Sequence, residues 1–366
     1  MSTTPRAALG PRAARAALGA VVAAALLALV GCTSSADRGE RDGDGDRDTA
    51  SATPTAAPDR VTRETMRTAP TDLVFPGGLA VEPGSLASRA QAELDAAGQP
   101  GQADAAGVIA AQPVAMWIGD GYDDEQLVKV VTDFLDAADA QGATAVFVTY
   151  AIPDRDCGNY SAGGLTVEEY PAWNRTIAET IRGHDAVVIV EPDSLGILSR
   201  CPDLVEERLP LLRQAVEDFA AAGVPAYLDG GNSNWVDAQT MSERLLAAGV
   251  EDARGFFTNV SGFYRVDEER AYAERLSALT GDSHFVIDVS RNGRGWQGTW
   301  CNPDGAALGQ DPHVAGGSGG LDALLWVKTP GISDGTCNGG PAAGTWWPSF
   351  AEGLVTRRVE DEGSQQ

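Results

Sequence analysis

Histidine is scarce in this 366-residue chain, which contains only three such residues. His184 precedes a predicted strand, His284 begins another, and His313 lies in a loop rich in proline and glycine. None of them follows the carboxyl end of a strand, where α/β folds hold their reactive side chains. This excludes a Ser-His-Asp triad and a histidine-rich metal site, and leaves carboxylates as the candidate catalytic groups.

Cysteine is also sparse, with five residues and no Cys-x-x-Cys pair. The missing pair argues against a zinc site, and we expect neither a metal nor a cofactor. In an exported protein, Cys157, Cys201, Cys301 and Cys337 can form two disulfides in three possible connectivities. Pairing in chain order is the most local of the three. Cys32 is then left over and needs another explanation.

Basic residues are heavily outnumbered, with 27 lysines and arginines against 52 aspartates and glutamates and a formal net charge of -25. A surface of this charge repels nucleic acid and anionic lipid headgroups. We therefore expect no nucleic-acid partner. The acidity suits an exported enzyme that acts on a neutral substrate, and we expect it to be a monomer.

The amino-terminal region is not predicted to belong to the fold. Residues 1–32 combine three arginines with a short apolar stretch that ends in Leu-Val-Gly-Cys, which indicates an export signal. The ending resembles a bacterial lipobox, in which acylated Cys32 anchors the protein to the membrane at the cell surface; ordinary secretion is the alternative. Residues 33–72 are predicted to be a disordered tether. The catalytic domain is then 73–358, and 359–366 is a disordered tail.

No Gly-x-Gly-x-x-Gly motif follows an early strand, which weakens the case for a doubly wound sheet. Instead, apolar runs typical of strands alternate with amphipathic stretches of helical spacing, after an irregular segment at 73–113. This alternation predicts right-handed βαβ units and a parallel α/β barrel, with a doubly wound sheet as the alternative. The strand-like runs are 115–118, 143–151, 186–190, 226–228, 255–260, 284–289 and 323–327. The helical stretches are 125–141, 167–182, 203–222, 236–248 and 268–280.

Polar and aromatic side chains follow almost every predicted strand. The third strand stops at Glu191-Pro-Asp193 because proline cannot donate a hydrogen bond to a sheet, and Glu191, at its last position, is expected to be a structural support. Since the carboxyl ends of parallel strands meet at one rim, these side chains predict a cleft. Carboxylates beside aromatic rings are typical of glycoside hydrolysis, in which one acid protonates the leaving oxygen. Four tryptophans are predicted to stack on sugar rings: Trp117, Trp235, Trp296 and Trp300.

Two segments, Tyr150–Gly164 and Val188–Leu195, resemble the signature sequences of glycoside hydrolase family 6, the inverting cellulases that cut β-1,4-glucan. The resemblance spans about residues 113–350. It implies a distorted, incomplete parallel α/β barrel of about seven strands, in a single catalytic domain whose active site lies at the carboxyl ends of the strands.

The resemblance also implies roles for single residues. Asp193 matches the general acid, and Asp156 matches a neighbour that shares a proton with it and raises its pKa by like-charge repulsion. Asp334 matches the candidate base, with activation of water through a relay as the alternative. The implied disulfides are Cys157–Cys201 and Cys301–Cys337. The side chains expected to contact substrate are Trp117, Tyr150, Arg155, Ser161, Asp229, Asn232, Trp235, Asn259, Trp300 and Lys328.

The chain departs from the family pattern at Asn232, where histidine is usual, and at Ile332, where glutamate is usual, which puts sugar affinity there in doubt. Little chain is available for loops that would roof the cleft, and this favours cutting within a glucan chain. The predicted function is endo-acting, inverting hydrolysis of β-1,4-glucosidic bonds in cellulose or soluble β-glucan. The alternatives are a cellobiohydrolase, a mixed-linkage β-glucanase and a non-catalytic glycan-binding lipoprotein of the same fold.

Overall fold

The structure, a computed structural model, describes residues 60–317 and 319–363. The predicted export signal, most of the predicted tether and the predicted lipidation site, Cys32, lie outside the described residues. Within the described ranges, no helix combines the length and the apolar character needed to cross a membrane.

Eight strands form one mixed sheet in the order β1-β2-β3-β4-β5-β6-β8-β7, in which only β7 runs antiparallel to its neighbour. A single parallel bridge between Val114 and Trp326 joins the β1 side of the sheet to the β8 side. The sheet is therefore a distorted, incomplete barrel, as predicted, and its seven parallel strands match the seven predicted runs. The strands are β1 (Met116–Gly119), β2 (Ala145–Tyr150), β3 (Ala186–Val190), β4 (Ala226–Asp229), β5 (Gly255–Thr258), β6 (His284–Asp288), β7 (His313–Val314) and β8 (Leu321–Leu325).

The helices that follow β1 to β5 agree with the predicted helical stretches, but the leading segment does not. Residues 73–113, predicted to be irregular, contain two full helices, and the prediction was wrong because these helices bury mainly alanine against each other. His313, predicted to lie in a loop, belongs to the short edge strand β7. The α-helices of the described residues are α1 (Thr71–Val74), α2 (Leu86–Ala96), α3 (Pro100–Ala110), α4 (Asp124–Gln141), α5 (Tyr170–Ile181), α6 (Val205–Ala222), α7 (Ala238–Ala247), α8 (Val266–Leu279) and α9 (Pro348–Gly363).

The strand β3 shows why its sequence is apolar at every position. Val187 and Ile189 pack into the interior of the barrel, whereas Val188 and Val190 pack outward against the helices. A strand of a parallel sheet that is covered on both faces has no solvated side. The continuous Val-Val-Ile-Val run therefore reports burial on both faces, and the polar residues begin only where the strand ends.

The segment before α1 closes the amino end of the barrel. Val61 and Met66 are buried in the same apolar cluster as the barrel interior. The guanidinium group of Arg254 donates to the carbonyl oxygens of Met66 at 3.1 Å and Ala69 at 2.7 Å. The boundary predicted at residue 72 for the disordered tether is therefore too late, because apolar side chains within this polar stretch belong to the core.

The carboxyl-terminal boundary needs a similar correction. Helix α9 continues to Gly363, so the disordered tail predicted for 359–366 begins too early. The last turns of this helix stay attached to the domain through an ion pair at 2.7 Å between Arg294 and Asp361. This contact joins residues that are far apart in the chain, and the sequence pattern gave no sign of it.

Candidate active site

A cleft of about 960 Å³ opens at the carboxyl ends of the strands. Most of the side chains predicted for catalysis and substrate binding line it, although they come from loops spread over the whole chain. Ile332, at one of the two departures from the family pattern, also lines it. The predicted residues that the cleft brings together are Trp117, Tyr150, Asp156, Ser161, Asp193, Asn232, Trp235, Trp300, Lys328 and Asp334.

Asp193 lies deep in the cleft, on the sharp step that follows β3. Glu191 and Asp193 adopt positive φ angles of 51° and 71°, which non-glycine residues take only where surrounding contacts hold them. Burial, followed by the charges of Asp229 and Asp156, raises the pKa of Asp193 to about 8. The carboxyl group thus keeps its proton at neutral pH, which is the state that a general acid requires. Like-charge repulsion contributes, as the resemblance implied, but burial is the larger cause.

Glu191 is a structural support, as predicted. Its carboxylate is fully buried and accepts hydrogen bonds from the backbone N–H groups of Ala151 and Ile152 at 3.0–3.1 Å. These two residues begin the loop after β2. Burial raises the pKa of Glu191, and the N–H donors offset only part of that effect. The side chain therefore ties the loop of one strand to the end of the next.

Asp229, which was predicted to contact substrate, has the same structural role at the end of β4. The carboxylate is buried and does not line the cleft. It accepts hydrogen bonds from the N–H groups of Leu195 at 2.9 Å, Gly196 at 2.8 Å and Gly231 at 2.9 Å. Burial raises the pKa of Asp229 despite these donors. It therefore fixes the loop that carries Asp193.

Asp288, at the end of β6, repeats the arrangement. Its carboxylate accepts hydrogen bonds from the N–H groups of Ser261 at 3.2 Å, Ser290 at 2.9 Å and Lys328 at 3.0 Å. These donors belong to loops after three different strands. Burial again raises the pKa of the carboxyl group. We refer to Glu191, Asp229 and Asp288 as the rim carboxylates.

Asn259 and Arg155, both predicted to contact substrate, do not line the cleft. The Asn259 side chain is fully buried and donates to the carbonyl oxygens of Tyr264 at 3.2 Å and Asp288 at 2.9 Å. The Arg155 guanidinium lies over the Tyr150 ring, 4.6 Å from its centroid. It also forms an ion pair with the Asp120 carboxylate at 3.1 Å. Their polar groups are committed to the protein, so both residues position their neighbours.

Asp156 is held on a tight turn of the loop after β2. Its carboxylate accepts hydrogen bonds from the backbone N–H of Ser161 at 2.8 Å and from the side-chain amide of Asn159 at 3.3 Å. Both donors are neutral. A disulfide between Cys157 and Cys201, with the Cα atoms 6.5 Å apart, joins this loop to the loop after β3. Asp156 thus lies near enough to Asp193 for its charge to contribute to the raised pKa of that residue.

Asp334 is paired with two cations. Arg291 donates to both of its carboxylate oxygens at 3.0 Å, and the Lys328 ammonium lies 3.3 Å away. The backbone N–H of Asn302 adds a hydrogen bond at 3.0 Å. Burial acts to raise the pKa of Asp334, but Arg291 and Lys328 outweigh it and the pKa is lowered. A carboxylate stabilised in this way is a weak base.

Several residues of this region were not singled out by sequence reasoning. Arg291 follows β6, but its pairing with Asp334 joins residues 43 positions apart and left no pattern in the sequence. Tyr160 packs its ring where a side chain at Gly335 would lie, and its centroid is 6.2 Å from that of Trp300. The predicted Cys301–Cys337 disulfide is present beside this contact, with a Cα separation of 6.2 Å.

The comparisons with known proteins agree with this geometry. The family model described as glycosyl hydrolases family 6 matches residues 79–358. The chain belongs to this family. Among similar family 6 proteins, Endoglucanase A of Cellulomonas fimi is 44% identical over 243 residues, which is 66% of this chain and 54% of that protein. Endoglucanase 1 of Streptomyces halstedii is 38% identical over 293 residues, or 76% of this chain and 88% of that protein.

The fold is also similar to that of a solved family 6 structure. Endoglucanase Cel6 from Mycobacterium tuberculosis, in complex with methyl-cellobiosyl-4-deoxy-4-thio-β-D-cellobioside, superposes with a TM-score of 0.72 at 39% identity. The match covers 77% of this chain and 97% of that one. The chain spans about half the length of the Cellulomonas relative but almost all of the Mycobacterium structure. The similarity therefore concerns the domain that carries the cleft.

Proposed function

We propose that this chain is an endo-acting, inverting hydrolase of β-1,4-glucosidic bonds in cellulose or soluble β-glucan. The observation that carries the proposal is the Asp193 carboxyl group, protonated at neutral pH in a cleft that Trp235 and Trp300 line with exposed rings. The similar bacterial proteins described above are endoglucanases, which supports cutting within the chain. Exposed aromatic rings suit the apolar faces of sugar residues, and the acidic surface does not repel a neutral polymer.

In the proposed reaction, Asp193 donates its proton to the glycosidic oxygen as the bond from that oxygen to the anomeric carbon breaks. A water molecule attacks the anomeric carbon from the opposite face, which inverts the configuration. The proton released by this water passes to a cleft carboxylate, and we assign this role to Asp156, reached through solvent. Asp334 is less suited to accept it, because Arg291 and Lys328 already neutralise its charge. Asp334 instead fixes the two cations at the cleft wall.

The substrate-binding roles form part of the same proposal. Trp117, Trp235 and Trp300 would take the faces of sugar rings, while Ser161 and Lys328 would reach hydroxyl groups. Asn232 and Ile332 stand in the wall in place of the more common histidine and glutamate. An apolar side chain at 332 removes one hydrogen-bond acceptor for a sugar hydroxyl, so we expect weaker binding of sugar there and not a loss of the reaction.

The decisive experiment is the replacement Asp193→Ala. Loss of a general acid typically costs about 10²–10⁴-fold in rate, so hydrolysis of carboxymethylcellulose and cello-oligosaccharides should nearly vanish. Asp203→Ala, on an exposed turn outside the cleft, is the matched control. Unchanged turnover by folded Asp193→Ala would rule out the assignment of the acid.

Two further readouts separate the alternatives. The first product should carry the α-anomer by NMR, since inversion of a β-linkage gives an α-hydroxyl; a β-anomer would contradict the mechanism. An endo-acting enzyme should lower the viscosity of carboxymethylcellulose early, before much reducing sugar appears. Slow loss of viscosity with release of cellobiose would favour a cellobiohydrolase. Faster hydrolysis of a mixed-linkage glucan than of carboxymethylcellulose would favour a mixed-linkage β-glucanase.

We also propose that the protein is exported and anchored through a lipid on Cys32. The two disulfides support export, because such bonds persist in oxidising compartments. The sequence around Cys32 supports acylation. Cys32→Ala should move the protein from the membrane fraction to the medium, and an unchanged distribution would show that this cysteine is not the anchor.

A further inference from the structure

Trp296, one of the four tryptophans predicted to stack on sugar rings, forms an aromatic pair with Tyr264 in the lining of the cleft. The rings of Tyr264, after β5, and Trp296, after β6, are parallel within 5°, with their centroids 5.3 Å apart. Both line the same cleft as Asp193. Trp296 keeps 43% of its surface exposed although Tyr264 covers part of it. A large apolar ring is thus held in water at the edge of the cleft.

Tyr264 is held from below by two buried amides. Its backbone carbonyl oxygen accepts hydrogen bonds from the side chains of Asn259 at 3.2 Å and Asn292 at 3.0 Å. Its N–H group donates to the side-chain oxygen of Asn259 at 3.3 Å. Both asparagines are almost fully buried. The backbone that carries the Tyr264 ring is therefore fixed before any ligand arrives.

Trp296 is held by its neighbours as well. Gly295 has a φ of 73°, and the Arg265 side chain lies 3.2 Å from the place that a β-carbon at that position would take, so the turn before Trp296 is packed against Arg265. A ring fixed in this way loses little conformational freedom when it binds a ligand. Among the cation–π contacts within the described ranges, none involves the Trp296 ring.

We propose that Trp296, supported by Tyr264, is an outer binding platform for a glucosyl residue of the same glucan chain, beyond the sugars bound near Asp193. The proposal rests on the proposed function for the chemical class of the ligand. It follows from the continuity of the platform with the cleft and from the flat, uncharged ring that the platform presents. An outer platform of this kind lengthens the substrate that the enzyme grips and favours binding within a long chain.

The alternative is that the two rings only stabilise their loops. That role predicts a loss of thermal stability in Trp296→Ala and no dependence on substrate length. The platform instead predicts an effect that appears only with longer oligosaccharides. Chain-length dependence therefore separates the two explanations.

The test measures the affinity of cellotriose, cellotetraose, cellopentaose and cellohexaose by calorimetry in an Asp193→Asn background, where no turnover occurs. The affinity should rise with chain length. Trp296→Ala should weaken the binding of cellohexaose about tenfold more than it weakens the binding of cellotriose. Trp296→Phe should retain most of the gain. Leu279→Ala, which truncates an exposed apolar side chain on α8 outside the cleft, is the control.

An equal effect of Trp296→Ala on all four oligosaccharides, or no effect, would overturn the platform. If Trp296→Ala fails to fold, Trp296→Gln gives the same comparison with a longer side chain. Binding without any hydrolysis by the native protein would refute the proposed function and leave the platform standing. Hydrolysis by the native protein, together with oligosaccharide affinities that do not change in Trp296→Ala, would support the proposed function and refute the platform.

Discussion

The three rim carboxylates are held in a different way from the carboxylate buried at the amino end of the barrel. At the carboxyl rim, Glu191, Asp229 and Asp288 accept hydrogen bonds from neutral backbone N–H groups. At the amino end, Asp322 receives the guanidinium group of Arg254 at 2.8 and 2.9 Å, and both side chains are fully buried. Burial raises the pKa values of all three rim carboxylates. At Asp322 burial also acts to raise the pKa, but Arg254 and His284 together outweigh it and the pKa is lowered.

The difference shows how buried carboxylates can hold loops in place and still act electrostatically on a neighbouring acid. Neutral N–H donors orient a carboxylate but leave its negative charge in place. Asp229 thus ties the loop of the acid and is also the largest charged contributor to the raised pKa of Asp193. A guanidinium group at the same place would tie the loop equally well, but it would lower the pKa of the acid. The amino end of the barrel lies away from the cleft, so the Asp322 charge can be fully paired with Arg254 there, and this pair stabilises the closed end of the barrel.

The largest effect is expected from Asp322→Ala. Breaking a buried ion pair leaves Arg254 without its partner and typically costs about 3–5 kcal/mol. The free energy of unfolding, measured by denaturant titration, should fall by this amount. Rates per folded molecule should stay close to those of the native protein, because the pair lies at the end opposite the cleft. A large loss of kcat in the folded variant would contradict the division of roles.

The contribution of Asp322 to stability should depend on pH in a definite direction. Because the pKa of Asp322 is lowered, its contribution to stability is present above the unfolded-state value of about 3.9 and is lost as the pH falls through the folded-state value. Asp322→Ala should therefore lose less stability on acidification than the native protein does. An equal acid-induced loss in both proteins would show that another group carries it.

A smaller loss of stability is expected from Asp229→Asn. The amide has one acceptor oxygen and leaves at least one of the three N–H donors unpaired, which costs about 1–3 kcal/mol. The same change removes a negative charge near Asp193, so the pKa of the acid should fall. The basic limb of the pH profile of kcat/KM should move to lower pH, and an unchanged limb would separate Asp229 from the acid.

The smallest effects are opposite shifts of the basic limb in two variants. The proposed mechanism requires protonated Asp193, so activity should be present below a pH of about 8 and should be lost as the pH rises through that value. Asp156→Asn removes a charge that raises the pKa of Asp193, and the limb should move to lower pH. Lys328→Met removes a charge that lowers it, and the limb should move to higher pH. Both rates will fall for other reasons, so the measurement is the position of the limb; shifts of the same sign would refute the electrostatic account.

The sequence was sufficient to locate the rim. An apolar strand that stops at proline, and aspartate or asparagine after most other strands, place the cleft at the carboxyl ends without any coordinates. It could not separate the two kinds of carboxylate. Asp229 is the last residue of a buried strand and Asp193 lies three residues beyond the end of another, yet Asp229 accepts hydrogen bonds from backbone N–H groups whereas Asp193 lines the cleft.

Long-range pairing was also beyond prediction. Arg254 and Asp322 are 68 positions apart, and each alone resembles a surface charge. The closure of the amino end depends on Val61 and Met66, which are isolated apolar residues in a polar stretch and gave too weak a pattern to end the predicted tether. Both failures concern contacts that only the closed barrel brings together.

The positions of the disulfides bear on how the protein is produced. Cys157–Cys201 and Cys301–Cys337 both connect rim loops, and neither joins a strand to a helix of the core. Expression in a reducing cytoplasm can therefore give a soluble protein that has a normal circular dichroism spectrum but lacks the two bonds that hold the rim loops together. Such a batch would have low specific activity that says nothing about the enzyme itself. Counting free thiols before the first assay distinguishes a wrongly prepared sample from an inactive protein.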